Sequence, residues 1–124
     1  MVHSYRKGYL LEWKLQHKLF DMGYAVMRAP RSGRIGLPTP DLVAIKDGKI
    51  IVIECKSRED AFTVDAEQLK ELQEWEKRAG ATAYIAWKMS RREPLFLRLK
   101  DVLATNGNIG KKMLEEKGIG IDEI

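Results

Sequence analysis

One cysteine, two histidines and no long apolar run mark what this 124-residue chain has least of, and each scarcity closes off a class of protein. The lone Cys55 excludes an internal disulfide framework. His3 and His17 share no register, so no zinc pair is expected. No apolar segment near the start suits a signal peptide, and no run approaches the roughly 18 apolar residues of a membrane span. A cytoplasmic location with no membrane partner is therefore expected. Phosphate-loop, dinucleotide-binding and Ser/His/Asp patterns are missing as well, so no organic cofactor is expected. There is no internal repeat and no low-complexity segment. The length suits one domain with a real core over residues 1–124. Net charge +4 and a pI near 9.2 permit a polyanionic partner without requiring one.

What the chain does have is concentrated between Pro40 and Lys56. Apolar runs from Leu42 to Ile45 and from Ile50 to Ile53 flank Asp47-Gly48, a pair that signals a two-residue hairpin turn. With Lys46 opposite Lys49, counting outward sets Asp41 directly opposite Glu54. Opposed Cβ atoms lie roughly 4.5–5.5 Å apart, where like charges repel, so a positive group is expected beside them. Alternation along the strand puts Lys56 on the same face, on the diagonal, and turns Cys55 the other way as a core residue. Ile50 and Val52 on one face and Ile51 and Ile53 on the other describe an interior strand covered on both sides. At its buried end Glu54 and Lys56 must be paired, hydrogen-bonded or metal-bound.

Around this hairpin the pattern is that of an α/β protein with helices flanking a sheet of about five strands. Leu11, Leu15, Leu19 and Met22 recur at helical spacing over about three to four turns, ending near Gly23. Glu12 lies on the edge of that stripe, where it either joins the solvated face or leans toward the sheet. Residues 24–29 form a strand candidate, followed by a Gly/Pro-rich loop to Pro40 that carries Arg31 and Arg34. Such a loop suits close approach to phosphates, and equally a surface loop with solvating charges. Asp65 reads as the N-cap of a second helix with Gln68 at the capping-box position. Leu69, Leu72, Trp75 and Ala79 form that helix's apolar stripe, and Gly80 ends it. Residues 81–87 and 95–99 are further strand candidates. A polar break at 105–108 leads into an amphipathic segment around 109–117, and the tail 104–124 reads as a short helix or a flexible end.

Opposed carboxylates admit a structural role at a strand start, glycosidase-like acid/base work, or metal-assisted phosphodiester cleavage. Only the last uses the lysine and the arginine-bearing loop. Carboxylates are the hard ligands Mg²⁺ requires, and the ion relieves their repulsion.

Pro40-Asp41, twelve intervening residues and Glu54-x-Lys56 on a hairpin resemble the PD-(D/E)xK nuclease signature. Arg6-Lys7-Gly8 ahead of Glu12, Val26 to Pro30 leading into Ser32-Gly33, Lys56-Ser57-Arg58, and Glu67-Gln68 extend the likeness over about residues 5–100 to the archaeal Holliday junction resolvases of Hjc type. That resemblance implies a restriction-endonuclease-like core with a mixed sheet, a single nuclease domain with its core at about residues 5–103, and a homodimer that cuts four-way DNA junctions. It implies Mg²⁺, with Mn²⁺ as a substitute, held by Glu12, Asp41, Glu54 and the backbone carbonyl of Cys55. Lys56 is the implied catalytic lysine, Ser32 a catalytic loop serine, and Arg28 a junction contact. Arg6, Lys7, Arg31, Arg34 and Arg58 complete the expected DNA-binding set. Trp13 departs from the family, which often has a basic residue after the helix glutamate. Trp87, Phe96 and Leu97 are expected either in a dimer interface or in the core. Another DNA substrate for the same chemistry, or a catalytically silent DNA-binding module, remain as other readings.

Overall fold

The computed structural model describes residues 2–30 and 36–124, with side chains from residue 9 onward. Helix α1 (Val2–Asp21) leads into β1 (Ala25–Arg28), the hairpin β2 (Leu42–Lys46) and β3 (Lys49–Ser57), and a short β4 (Phe62–Thr63). Then follow α2 (Ala66–Ala79), β5 (Thr82–Lys88), β6 (Leu95–Arg98), α3 (Leu99–Ala104), β7 (Asn108–Ile109), α4 (Lys111–Lys117) and a 3₁₀ turn (Ile121–Glu123). The main sheet has five strands in the order β1-β2-β3-β5-β6. It is mixed: β3 and β5 run parallel around the α2 crossover, and the other pairs are antiparallel. None of the described helices is long and apolar enough to cross a membrane.

The hairpin has the expected register, from Lys46 opposite Lys49 to Leu42 opposite Ile53. Asp47 and Gly48 both take positive φ, 49° and 80°, which is the turn whose twist matches that of the flanking strands. Strand β3 divides the core as its alternation requires. Ile51 and Ile53 join Leu42, Ala44, Tyr84 and Phe96 under Leu11, Leu15 and Leu19 of α1. Val52 packs on the opposite side with Leu69, Leu72, Ile85, Trp87 and Leu97. Cys55 is partly buried rather than fully in the core and packs against the α1-side cluster.

Helix α1 begins nearly ten residues before its apolar stripe. Arg6 and Lys7 are good helix formers although they add nothing to an apolar period, so the pattern shows only the half that packs. Its end is a Schellman turn: Gly23 at φ 100° donates to the Phe20 carbonyl and Tyr24 to that of Leu19. Helix α2 is capped as read, with Asp65 Oδ1 accepting from the Gln68 N–H at 2.8 Å and Gly80 at φ 68°.

Two readings left open by the sequence are decided. Trp87, Phe96 and Leu97 are 1%, 0% and 0% exposed, so they are core residues and contribute no surface to a dimer interface. Both faces of the sheet are helix-covered, and Phe96 at the β6 edge is further bridged by Ile119. The tail is built into the fold: β7 pairs with β4, Leu114 of α4 is buried, and Lys49 Nζ donates to the main-chain oxygen of Ile124 at 2.8 Å. The six-residue α3 was invisible to periodicity because it is shorter than two helical turns.

Candidate active site

Five elements meet at the polar end of the sheet. Asp41 sits one residue before β2, where the ladder has just ended; its carbonyl accepts from the Ala29 N–H at 2.9 Å. One further step of the register puts it opposite Glu54, as counted. Its Oδ2 accepts from the Cys55 N–H at 2.8 Å, which fixes the carboxylate against β3.

Glu54 is held far from an ordinary carboxyl group. Burial, then the negative charge of Asp41, push its pKa from 4.5 up to about 8, against the opposing pull of Lys56; the hydrogen bond to Asp41 and the charge of Glu12 raise it further. At neutral pH Glu54 therefore stays protonated. Lys56 Nζ lies 4.0 Å from Glu54 Oε2, and both side chains are nearly buried, 13% and 12% exposed.

The amide of Gln68 closes this arrangement. Its Oε1 accepts from Lys56 Nζ at 3.0 Å and its Nε2 donates to Glu54 Oε2 at 3.1 Å. Only one orientation of the amide satisfies both partners. Sequence reasoning assigned Gln68 to the capping box. Its main-chain N–H does take that role, but the side chain turns inward instead of back to Asp65. The available signal was the need of a buried lysine for an acceptor.

Glu12 is 1% exposed, which removes the solvated-face reading. Arg28 Nε donates to its Oε1 at 2.8 Å, and the Arg28 guanidinium stacks over the Tyr9 ring, 4.6 Å from its centroid. Arg28 lies opposite Leu42 at the end of β1, beside the strand that Asp41 precedes. Among the described residues, no three acidic, histidine or cysteine side chains converge closely enough to hold an ion by themselves. The donors best placed for a hard cation are the Asp41 and Glu54 carboxylates. The Cys55 carbonyl leaves its strand on the side to which its N–H reaches Asp41, since N–H and C=O of an extended residue point the same way.

The structure thus brings together Glu12, Arg28, Asp41, Glu54 and Lys56. Arg58 is exposed just beyond β3, with its guanidinium 5.7 Å from the Phe62 ring centroid and its carbonyl accepting from the Trp87 indole at 2.8 Å. Arg31, Ser32 and Arg34 lie outside the described residues, as do the side chains of Arg6 and Lys7.

A mixed sheet covered by helices on both faces, with an acid-bearing hairpin and a nearly buried lysine at one end, is a nuclease core of the PD-(D/E)xK kind. The family model for the archaeal Holliday junction resolvases (Hjc) matches residues 3–124. The chain belongs to that family, and the match runs through the tail, beyond the stretch that carried the resemblance in sequence. The crossover junction endodeoxyribonuclease Hjc of Sulfolobus acidocaldarius is 34% identical over 95% of this chain and 85% of its own length. Its counterpart in Methanocaldococcus jannaschii is 33% identical over 98% and 87%. The solved structure of Archaeoglobus fulgidus Hjc, a Holliday junction resolvase, matches with a TM-score of 0.83 at 28% identity, covering 94% of this chain and 98% of that one.

Proposed function

We propose that the chain is a structure-selective endonuclease that resolves four-way DNA junctions by Mg²⁺-dependent phosphodiester hydrolysis, acting in the cytoplasm as a homodimer in recombination and repair. The observation that carries the chemistry is the Asp41 carboxylate held on the Cys55 N–H at 2.8 Å next to buried Glu54, with Lys56 4.0 Å from Glu54. The choice of junction rests on family membership.

Two buried carboxylates that repel each other are oxygen donors of the kind a hard divalent cation takes, and an ion in place of the proton would relieve that repulsion. Asp41, Glu54 and the Cys55 carbonyl would hold it, and Glu12 would join by releasing Arg28. Mg²⁺ bound there, or Mn²⁺ in its place, supplies polarisation of the phosphate and a water of lowered pKa. Lys56, anchored on Gln68, orients the attacking water and stabilises negative charge as it develops on the phosphate oxygens. Ser32 adds a hydroxyl from the loop before Asp41. Arg6, Lys7, Arg28, Arg31, Arg34 and Arg58 contact the DNA backbone, the arginines as forked donors. The cut leaves 5′-phosphate and 3′-hydroxyl ends.

A four-way junction has two-fold symmetry and needs paired cuts on opposing strands, which fits a homodimer with two active sites. Sedimentation that finds only monomer at micromolar concentration removes this part of the proposal. For the rest, the protein is offered mobile and fixed junctions, flaps and linear duplex with and without Mg²⁺, alongside Asp41→Asn and Glu54→Gln. Metal-dependent cutting confined to junctions is expected, and both variants should bind junctions without cutting them. Equal cutting of duplex refutes the selectivity; metal-dependent cutting by either variant refutes the site.

A further inference from the structure

Next to Glu12, on the outward side of α1, stands an aromatic pair that the cleavage chemistry does not use. Trp13 is 47% exposed, and the His17 ring lies against it, with centroids 4.0 Å apart and planes tilted by 36°. His17 Nδ1 donates to the Trp13 carbonyl oxygen at 2.8 Å. That bond fixes the imidazole one turn along the helix and props the indole in place. An exposed tryptophan held by a neighbour has lost much of its rotamer freedom before anything binds, so ordering it on contact costs little.

The position of the pair identifies what it meets. Glu12 precedes Trp13 and is buried against Arg28, at the end of the strand beside the one that Asp41 precedes. Lys14 follows, and lines a cleft of about 220 Å³ together with Leu10 and Ser57, the residue after Lys56. Along α1, Trp13 thus stands between Glu12, which pairs with Arg28, and Lys14, which lines that cleft. Helix α1 carries Arg6, Lys7, Lys14 and Lys18 against two acids, of which Glu12 is paired and Asp21 lies at the far end. A basic helix with a preorganised exposed aromatic suits a polyanion that presents flat apolar rings. Paired duplex hides those rings in its own stack, whereas the centre of a four-way junction can expose them.

We infer that Trp13, backed by His17, is a stacking platform for an unstacked nucleobase at the branch point, and so a determinant of junction over duplex binding. The inference rests on the junction reading above and adds a residue to it. Base–aromatic stacking is sequence-tolerant because every base has a π-face. Trp13 should therefore read structure rather than sequence.

The test is photo-crosslinking in EDTA, so that no strand is cut. Junctions carry 5-iodouracil either at the branch point or in the middle of an arm, because this base crosslinks efficiently to an aromatic ring stacked on it. A crosslink mapped to Trp13 from the branch-point probe and not from the arm probe is expected. Trp13→Ala should weaken junction binding on the order of tenfold, the loss of one base stack, and leave duplex binding within about twofold and the salt dependence unchanged, since no phosphate contact is lost. Trp13→Phe should restore most of the loss. Equal weakening on both DNAs, crosslinks that bypass Trp13, or a changed oligomeric state in place of changed DNA binding overturns the inference. A parent protein that prefers junctions while Trp13→Ala prefers them equally overturns this inference alone; a parent that binds both DNAs alike overturns the junction reading with it.

Discussion

Glu54 makes the metal-free protein pH-sensitive in a direction opposite to that of most carboxylates. A carboxylate stabilised by a salt bridge strengthens the fold as pH rises. Glu54 has a folded-state pKa raised from 4.5 to about 8, so between those values the folded protein binds the extra proton. Stability then falls as pH rises through that window and levels off above it. At about 1.4 kcal/mol per pH unit, allowing for the curvature at each end, the loss between pH 5 and pH 8 comes to about 3–4 kcal/mol. Rotation of the acids toward solvent lowers that figure.

The assay is urea unfolding in EDTA at intervals from pH 5 to pH 8. With a slope of about 1–3 kcal/mol per molar urea, the midpoint should fall by roughly 1–3 M. Glu54→Gln keeps the shape and cannot ionise, so its midpoint should stay nearly level, and subtracting the two curves isolates the contribution of Glu54. Mg²⁺ should restore the parent protein at pH 8, because the ion takes the proton's place, and should have little effect on Glu54→Gln. Parallel curves for the two proteins in EDTA would refute the argument that Glu54 is buried as an acid beside Asp41.

Gln68→Ala removes the amide between Lys56 and Glu54. Cleavage should fall about 10–100-fold, the usual effect of losing a group that orients a metal-site residue, with junction affinity unchanged; equal losses in binding and rate would make Gln68 a DNA contact instead. Trp87→Ala should cost about 3–5 kcal/mol by thermal or urea unfolding, as for a large core aromatic, without altering the sedimentation of the folded protein at low temperature. A dimer that dissociates with stability intact would put Trp87 at an interface after all.

The hairpin was legible because its information is local. A two-residue Asp-Gly turn sets the register, a period of two sets the faces, and together they place Asp41 against Glu54 with Lys56 beside them. Glu12 was legible only through the family resemblance and not through its local pattern, since a glutamate on a helix edge looks the same whether it faces water or, as here, Arg28 sixteen residues away. The inward turn of the Gln68 side chain was hidden for the same reason: the capping box explained the residue without reference to Lys56. Helix α3 and the start of α1 escaped because neither carries a full apolar stripe, and Trp87, Phe96 and Leu97 were misassignable because apolar strand residues look alike at a core and at an interface. What local pattern supplies is the machinery's frame; what it omits are contacts between distant segments.

The cluster at the end of the sheet can account for hydrolysis and cannot by itself account for a preference for branched DNA. On the proposed reading Asp41, Glu54, Lys56 and Gln68, joined by hydrogen bonds, would act on one phosphodiester, and a phosphodiester is the same group in a duplex, a flap or a junction. On that reading selectivity would come from surfaces that sense what surrounds the phosphate, among them the spacing of the two sites in the proposed homodimer and the outward side of α1 with Trp13. The two properties should separate under mutation. Substitutions at Glu54 or Gln68 should lower cutting on every DNA by a similar factor, whereas Trp13→Ala should lower it on junctions more than on any residual duplex substrate. A variant of the acid cluster that changed the ratio between substrates without changing the overall rate would break this division.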